Sequence, residues 1–148
     1  MDKVAIVYAS THHGNTKKLV DAIAKENEVE LIDATKVQEK DMSSYDAIGF
    51  ASGIYAANYH QSVLSFAAVN LPQNKKVFLI TTSAMNRDFS SSIMKVISGK
   101  NPDVTGKFSC KGYNTFGPFK LVGGTGKGHP DEQDLKNACD FYKGLNLN

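Results

Sequence analysis

The chain has 148 residues, 41% hydrophobic and 22% charged, with a net charge of +2. This is the balance of one ordinary globular domain, long enough to bury a real core, and it excludes disordered and disulfide-built chains. The lysines are dispersed and no apolar run reaches the roughly 18 residues of a membrane span, so neither a nucleic-acid partner nor a membrane span is expected.

Val4-Ala5-Ile6-Val7-Tyr8-Ala9 is a β-branched and aromatic run, the pattern of a buried strand. Leu19, Val20 and Ile23 then recur at helical spacing, which predicts a helix over 15–26. Glu28-Val29-Glu30-Leu31-Ile32-Asp33 alternates polar and apolar as an edge strand does, and the polar stretch 37–44 admits a short helix. Asp46-Ala47-Ile48-Gly49-Phe50-Ala51 is the third strand, followed by a helix over 60–70. Lys76-Val77-Phe78-Leu79-Ile80-Thr81-Thr82 is the clearest strand of all. Phe89, Ile93, Met94, Val96 and Ile97 mark the next helix, and 107–111 a fifth strand. Pro130-Asp131-Glu132 opens the last helix, with Pro in its first turn and acids that favour the dipole; Gly144 closes it.

Short apolar runs alternating with amphipathic segments predict a single α/β domain over 1–148 with a mostly parallel sheet. The two cysteines are too few for a disulfide framework. Cys110 in a strand and Cys139 on an apolar helix face are expected as buried free thiols. The first strand begins without a basic and apolar leader, so a cytoplasmic location is expected.

In such sheets ligands bind where the strands end, at their carboxyl edge. After the first strand comes Ser10-Thr11-His12-His13-Gly14-Asn15-Thr16, a hydroxyl-rich loop opening a helix. A helix N-terminus with free N–H groups and the positive end of its dipole is an anion site. A dinucleotide pyrophosphate needs glycines at G-x-G-x-x-G spacing. Only Gly14 is present here, surrounded by side-chain donors, which suits a terminal phosphate monoester and hence a mononucleotide. After the third strand comes Ser52-Gly53-Ile54-Tyr55, with Tyr59 close behind: Gly53 lets the backbone approach a flat ring, and Tyr55 or Tyr59 can stack on it. After the fourth comes Ser83-Ala84-Met85, small enough at its start for a ligand edge.

Ser-Thr-x-x-Gly-Asn-Thr after the first strand, with Ser-Gly-Ile-Tyr after the third, resembles the flavodoxin family over nearly the whole chain. The resemblance implies a three-layer flavodoxin-like sandwich whose five-stranded parallel sheet, in order 2-1-3-4-5, has helices on both faces. It implies FMN as cofactor, its phosphate held by Ser10, Thr11, His12, His13, Gly14, Asn15 and Thr16. Ser52, Gly53, Ile54, Tyr55, Ser83, Ala84 and Met85 would flank the isoalloxazine ring, with the Gly53 carbonyl as acceptor for flavin N5–H. Electron transfer to redox partner proteins is the implied function. An oxidoreductase acting on a quinone or porphyrinogen-type molecule is the alternative.

The chain departs from the family pattern in three ways. The phosphate loop is one residue longer than the usual Ser/Thr-x-Thr-Gly-x-Thr, with His-His where a Thr is expected. In this, and in its Ile-Tyr…Asn-Tyr-His run, the chain is similar to flavodoxin-like menaquinone-dependent protoporphyrinogen dehydrogenases. Electron-carrier flavodoxins are strongly acidic and this chain is not, and it has no Trp to cover a ring.

The remaining motifs carry less. His12 and His13 lack a carboxylate or Cys cluster for a metal; they either donate to a phosphate or face solvent. Gly123-Gly124-Thr125-Gly126-Lys127-Gly128 fails as a nucleotide loop because Gly128 stands where a Ser or Thr would bind magnesium. It lies within 112–129, which reads as a long, mobile loop whose Tyr113, Phe116 and Phe119 can cover a flavin, meet a partner or pack on the domain. A phospho-acceptor receiver domain is excluded by Ser10 and Ser52, which stand where acids are needed.

Overall fold

A computed structural model of the protein describes residues 3–10, 14–85, 87–112 and 128–147. The elements in chain order are β1 (Val4–Ala9), α1 (Asn15–Glu26), β2 (Glu30–Asp33), β3 (Ala47–Tyr55), β4 (Asn58–Tyr59) and α2 (Gln61–Asn70). They continue with β5 (Lys76–Ser83), α3 (Ser91–Ile97), a 3-10 turn (Ser98–Lys100), β6 (Asp103–Lys111) and α4 (Glu132–Gly144). The main strands run parallel in the order β2-β1-β3-β5-β6. With the two-residue β4 set aside, this is the expected 2-1-3-4-5 arrangement.

Every residue of β1 is buried, as a central parallel strand covered on both faces requires. The side-chain period of two sorts them. Val4, Ile6 and Tyr8 join Leu19, Val20 and Ile23 of α1 and Ala138, Cys139 and Tyr142 of α4 in one core. Ala5, Val7 and Ala9 join Val63, Phe66 and Ala67 of α2 and Ile93 and Ile97 of α3 in the other. Gly49 belongs to the first core's face: a Cβ there would lie 2.3 Å from the Phe78 ring, which packs edge-on against Phe141 and Tyr142. Cys110 and Cys139 are buried free thiols, and desolvation pushes both up to about 12, so neither is a thiolate at neutral pH.

Three local expectations are corrected. No helix forms over 37–44; Asp33 caps the turn after β2, and Asn70 of α2 holds the segment through bonds to Lys40 N and Gln38 O. Phe89 lies outside α3, in the loop that precedes it. Pro130 lies ahead of α4 rather than in its first turn. The cap is Asp131, in a reciprocal box in which Asp131 accepts from Asp134 N and Asp134 accepts from Asp131 N, each at 2.9 Å.

The hairpin of β3 and β4 was not expected. It pairs Ile54 with Tyr59 and Tyr55 with Asn58 around Ala56 and Ala57, both left-handed at φ 50° and 67°. A two-residue hairpin turn of this kind favours Asn-Gly because each central residue needs φ > 0. Ala57→Gly is therefore expected to stabilise the protein by about 1 kcal/mol, seen as a rise of a few degrees in the thermal midpoint. A fall in the midpoint would contradict the strain.

His129 Nδ1 lies 2.5 Å from Asp134 Oδ2 and 3.8 Å from Asp131 Oδ2. The bond to Asp134 raises the imidazole pKa above its ordinary 6.5, with Asp131 assisting and Lys111 opposing. Burial pushes the Asp134 carboxyl up, but the bonds from His129 and Asp131 N outweigh it and hold the carboxyl below its usual range. The raised imidazole contributes stability that is complete below its unfolded value and fades as pH rises through its folded one. The lowered carboxyl contributes above its unfolded value and fades as pH falls through its folded one. As pH rises through and above the ordinary imidazole value of 6.5, wild type should lose thermal stability faster than His129→Gln when melts are followed by circular dichroism. Parallel pH profiles would contradict this.

Candidate functional site at the carboxyl edge

The parallel registers bring the ends of four strands level. Ala9 pairs with Ser52, Ser52 with Thr81, Gly53 with Thr82, Thr82 with Cys110 and Ser83 with Lys111. The chain leaves β1 towards β2 on one side and later returns to β3 on the other. The switch point therefore lies between β1 and β3, where the loop beginning at Ser10 enters α1.

The first turn of α1 is held without an ordinary side-chain cap. Gly14 is left-handed at φ 65°, a conformation glycine adopts freely, and makes no side-chain cap bond. Ser10 Oγ instead accepts from Lys17 N at 3.0 Å, a bond that does not use the Ser10 proton. Thr16 is buried, and its hydroxyl lies 3.0 Å from that of Thr82. A Thr16 hydroxyl that accepts from Thr82 keeps its own proton to donate. Asn15 packs against Gly112 at the exit of β6. The Lys17 ammonium turns away to Asp21 at 2.8 Å, a solvated pair one turn along the helix. Ser10, Gly14, Asn15 and Thr16 are thus brought together; Thr11, His12 and His13 lie outside the described residues.

At the end of β3, Ser52 is fully buried. Its hydroxyl donates to Gly53 O and accepts from His60 N at 2.9 Å, so its side chain clamps the β3–β4 hairpin onto the start of α2. The Gly53 carbonyl accepts from Ser52 and keeps a second lone pair for another donor. The Tyr55 hydroxyl leans back over Gly53, 3.2 Å from where a Cβ would sit, and its ring meets that of His60 edge-on at 5.5 Å. Tyr59 is no stacking residue: it is buried, and its hydroxyl, 3.3 Å from each, bonds to Phe50 O and Ile80 O inside the core. Burial drives that phenol well above its ordinary pKa. Ile54 packs against the core beneath.

At the end of β5, Ser83 donates to Met85 O and closes a tight turn; Ala84 is half-buried and Met85 half-exposed on the rim. His60 caps α2 by accepting from Ser62 N at 3.1 Å, as expected of a helix-entry residue. Thr82 and Gly112 were not anticipated. A polar Thr-Thr-Ser ending to an apolar strand was the signal for the first; nothing in one dimension singles out the second.

The Thr16–Thr82 contact predicts a coupling. Thr16→Val or Thr82→Val alone strands a buried hydroxyl and should cost about 1–3 kcal/mol, whereas the double substitution costs less than the sum. Urea unfolding of the four proteins measures this; strict additivity would contradict the bond.

Residues 5–112 match the family model described as a flavodoxin domain. Over 146 residues the chain is 38% identical to an uncharacterised protein of Methanocaldococcus jannaschii, with 97% of each covered. A flavodoxin, WrbA-like protein of Agrobacterium tumefaciens superposes with a TM-score of 0.66 at 17% identity, covering 99% of this chain and 95% of that one. A Fusobacterium nucleatum flavodoxin bound to flavin mononucleotide gives 0.65 at 15% identity, covering 99% and 98%. The family match runs from β1 through the end of β6 and takes in all three carboxyl-edge loops. The chain belongs to the flavodoxin family.

Proposed function

We propose that the protein binds FMN noncovalently at the carboxyl ends of β1, β3 and β5 and serves as an electron-transfer protein for redox partner proteins. The observation that carries this reading is the helix entry at the switch point, where Ser10 and Thr16 present hydroxyls and Gly14 opens the backbone. The residues fit the cofactor's demands. A phosphate monoester gains from hydroxyl donors and from the positive end of α1. A flat ring gains from the bare backbone of Gly53 and from Tyr55 beside it, the role a Trp would otherwise fill.

When bound, FMN supplies reversible electron chemistry, and the protein supplies geometry and electrostatics. Ser10, Asn15 and Thr16, together with the neighbouring Thr11, His12 and His13, hold the phosphate. The Gly53 carbonyl would accept from the ring N5–H, and the Ser52 clamp would keep that peptide in position. Ser83, Ala84 and Met85 would form the opposite wall, with Met85 half-exposed at its rim.

The near-balanced charge of this chain favours a second reading, an FMN-dependent oxidoreductase for a quinone or porphyrinogen-type molecule, because it lacks the acidic field that steers a carrier to a basic partner. Anaerobic reduction of the reconstituted protein separates the two. A carrier takes up electrons one at a time and turns over no small substrate. A single two-electron step with quinone turnover would overturn the carrier reading, and a colourless protein that takes up no FMN would overturn both.

A further inference from the structure

We propose that Gly112, at the exit of β6, is a positioning residue for the phosphate loop: its missing side chain is the space in which the Asn15 amide rests. The inference builds on the FMN reading above. A Cβ on Gly112 would stand 2.5 Å from Asn15 Nδ2, 2.8 Å from its Cγ and 3.1 Å from its Cβ. All three of these contacts fall on one side chain, and the first two are closer than non-bonded atoms tolerate.

Backbone conformation does not explain the glycine. Among the described glycines only Gly14 and Gly128 have positive φ, so Gly112 is not in the left-handed region. Space is the remaining reason. Neither backbone is free to retreat. Gly112 N donates to Ser83 O at 3.0 Å, one step beyond the last Ser83–Lys111 ladder pair, which pins it to the end of β5. Asn15 begins α1, whose first turn is pinned by the Thr16–Thr82 and Ser10–Lys17 bonds. The clashes of a methyl group at 112 with Asn15 Nδ2 and Cγ are therefore relieved by rotating the Asn15 side chain, with a few tenths of an ångström of give at its Cβ, which takes the amide from its seat and leaves the fold in place. Through this contact the exit of β6 sets an arm of the anion site that opens after β1, and its influence falls on the phosphate rather than on the ring.

The test is titration of the full-length apoprotein with FMN and with riboflavin, which lacks the phosphate, for wild type, Gly112→Ala, Asn15→Ala and the double variant. Gly112→Ala should weaken FMN about tenfold, the scale of one hydrogen bond to a charged group, and change riboflavin affinity less than about twofold. Asn15→Ala should show the same selective loss, and adding Gly112→Ala to it should change FMN affinity less than about twofold further, because the amide it strikes is gone and only the 3.1 Å contact with the Cβ remains. Equal weakening of both flavins, or the same FMN loss with and without Asn15, would overturn the proposal. If Gly112→Ala alone fails to fold, recovery of folding and riboflavin binding in the double variant supports the contact, and failure of the double variant as well overturns it. A wild type that does not prefer FMN to riboflavin overturns the phosphate reading itself, and the role of Gly112 with it.

Discussion

The buried hydrogen bond between Thr16 and Thr82 ties the first turn of α1 to the end of β5, and the carboxyl edge is organised around it. Parallel strands packed between two helical layers leave their last residues facing the connecting loops, where polar groups must find partners or water. Here they find one another. Ser10 satisfies Lys17 N, Ser52 joins Gly53 to His60, Ser83 closes on Met85, and Gly112 N returns to Ser83 O. The short polar side chains at the strand ends therefore do two things. They hold the loops in place, and they gather hydroxyl groups at the edge of the sheet.

That economy shows why some of the architecture was legible in the sequence. The β-branched run of β1, the helical spacing of Leu19, Val20 and Ile23 and the apolar stretch of β5 each have one low-energy solution once they must be buried. The β4 hairpin was invisible because it turns on Ala56-Ala57, which carries none of the Gly or Asn chemistry that announces such turns. The segment 37–44 was open to a helix because polarity alone does not distinguish a helix face from a tethered loop. Asn70, far along the chain, decides the matter.

The candidate site divides in the same way. Ser10, Gly14, Asn15 and Thr16 were readable because a strand, a hydroxyl-rich loop and a helix N-terminus form one contiguous physical device. Ser52 was rightly drawn to this edge, yet its side chain is committed to the hairpin and the start of α2. Tyr55 and Tyr59 looked equivalent in sequence, and only the hairpin register separates them: one stands over Gly53 and the other fills the core beneath Ile80. Thr82 and Gly112 needed three dimensions, since their partners lie on α1, far away along the chain.

We propose above that FMN is held by its phosphate at the entry to α1. The ³¹P resonance of FMN in the complex, followed against pH, tests it most directly. A phosphate enclosed by the loop should keep one charge state, with a resonance whose position stays constant from about pH 5 to pH 9. A resonance that titrates near pH 6 as the free monoester does would place the phosphate in solvent and contradict the account.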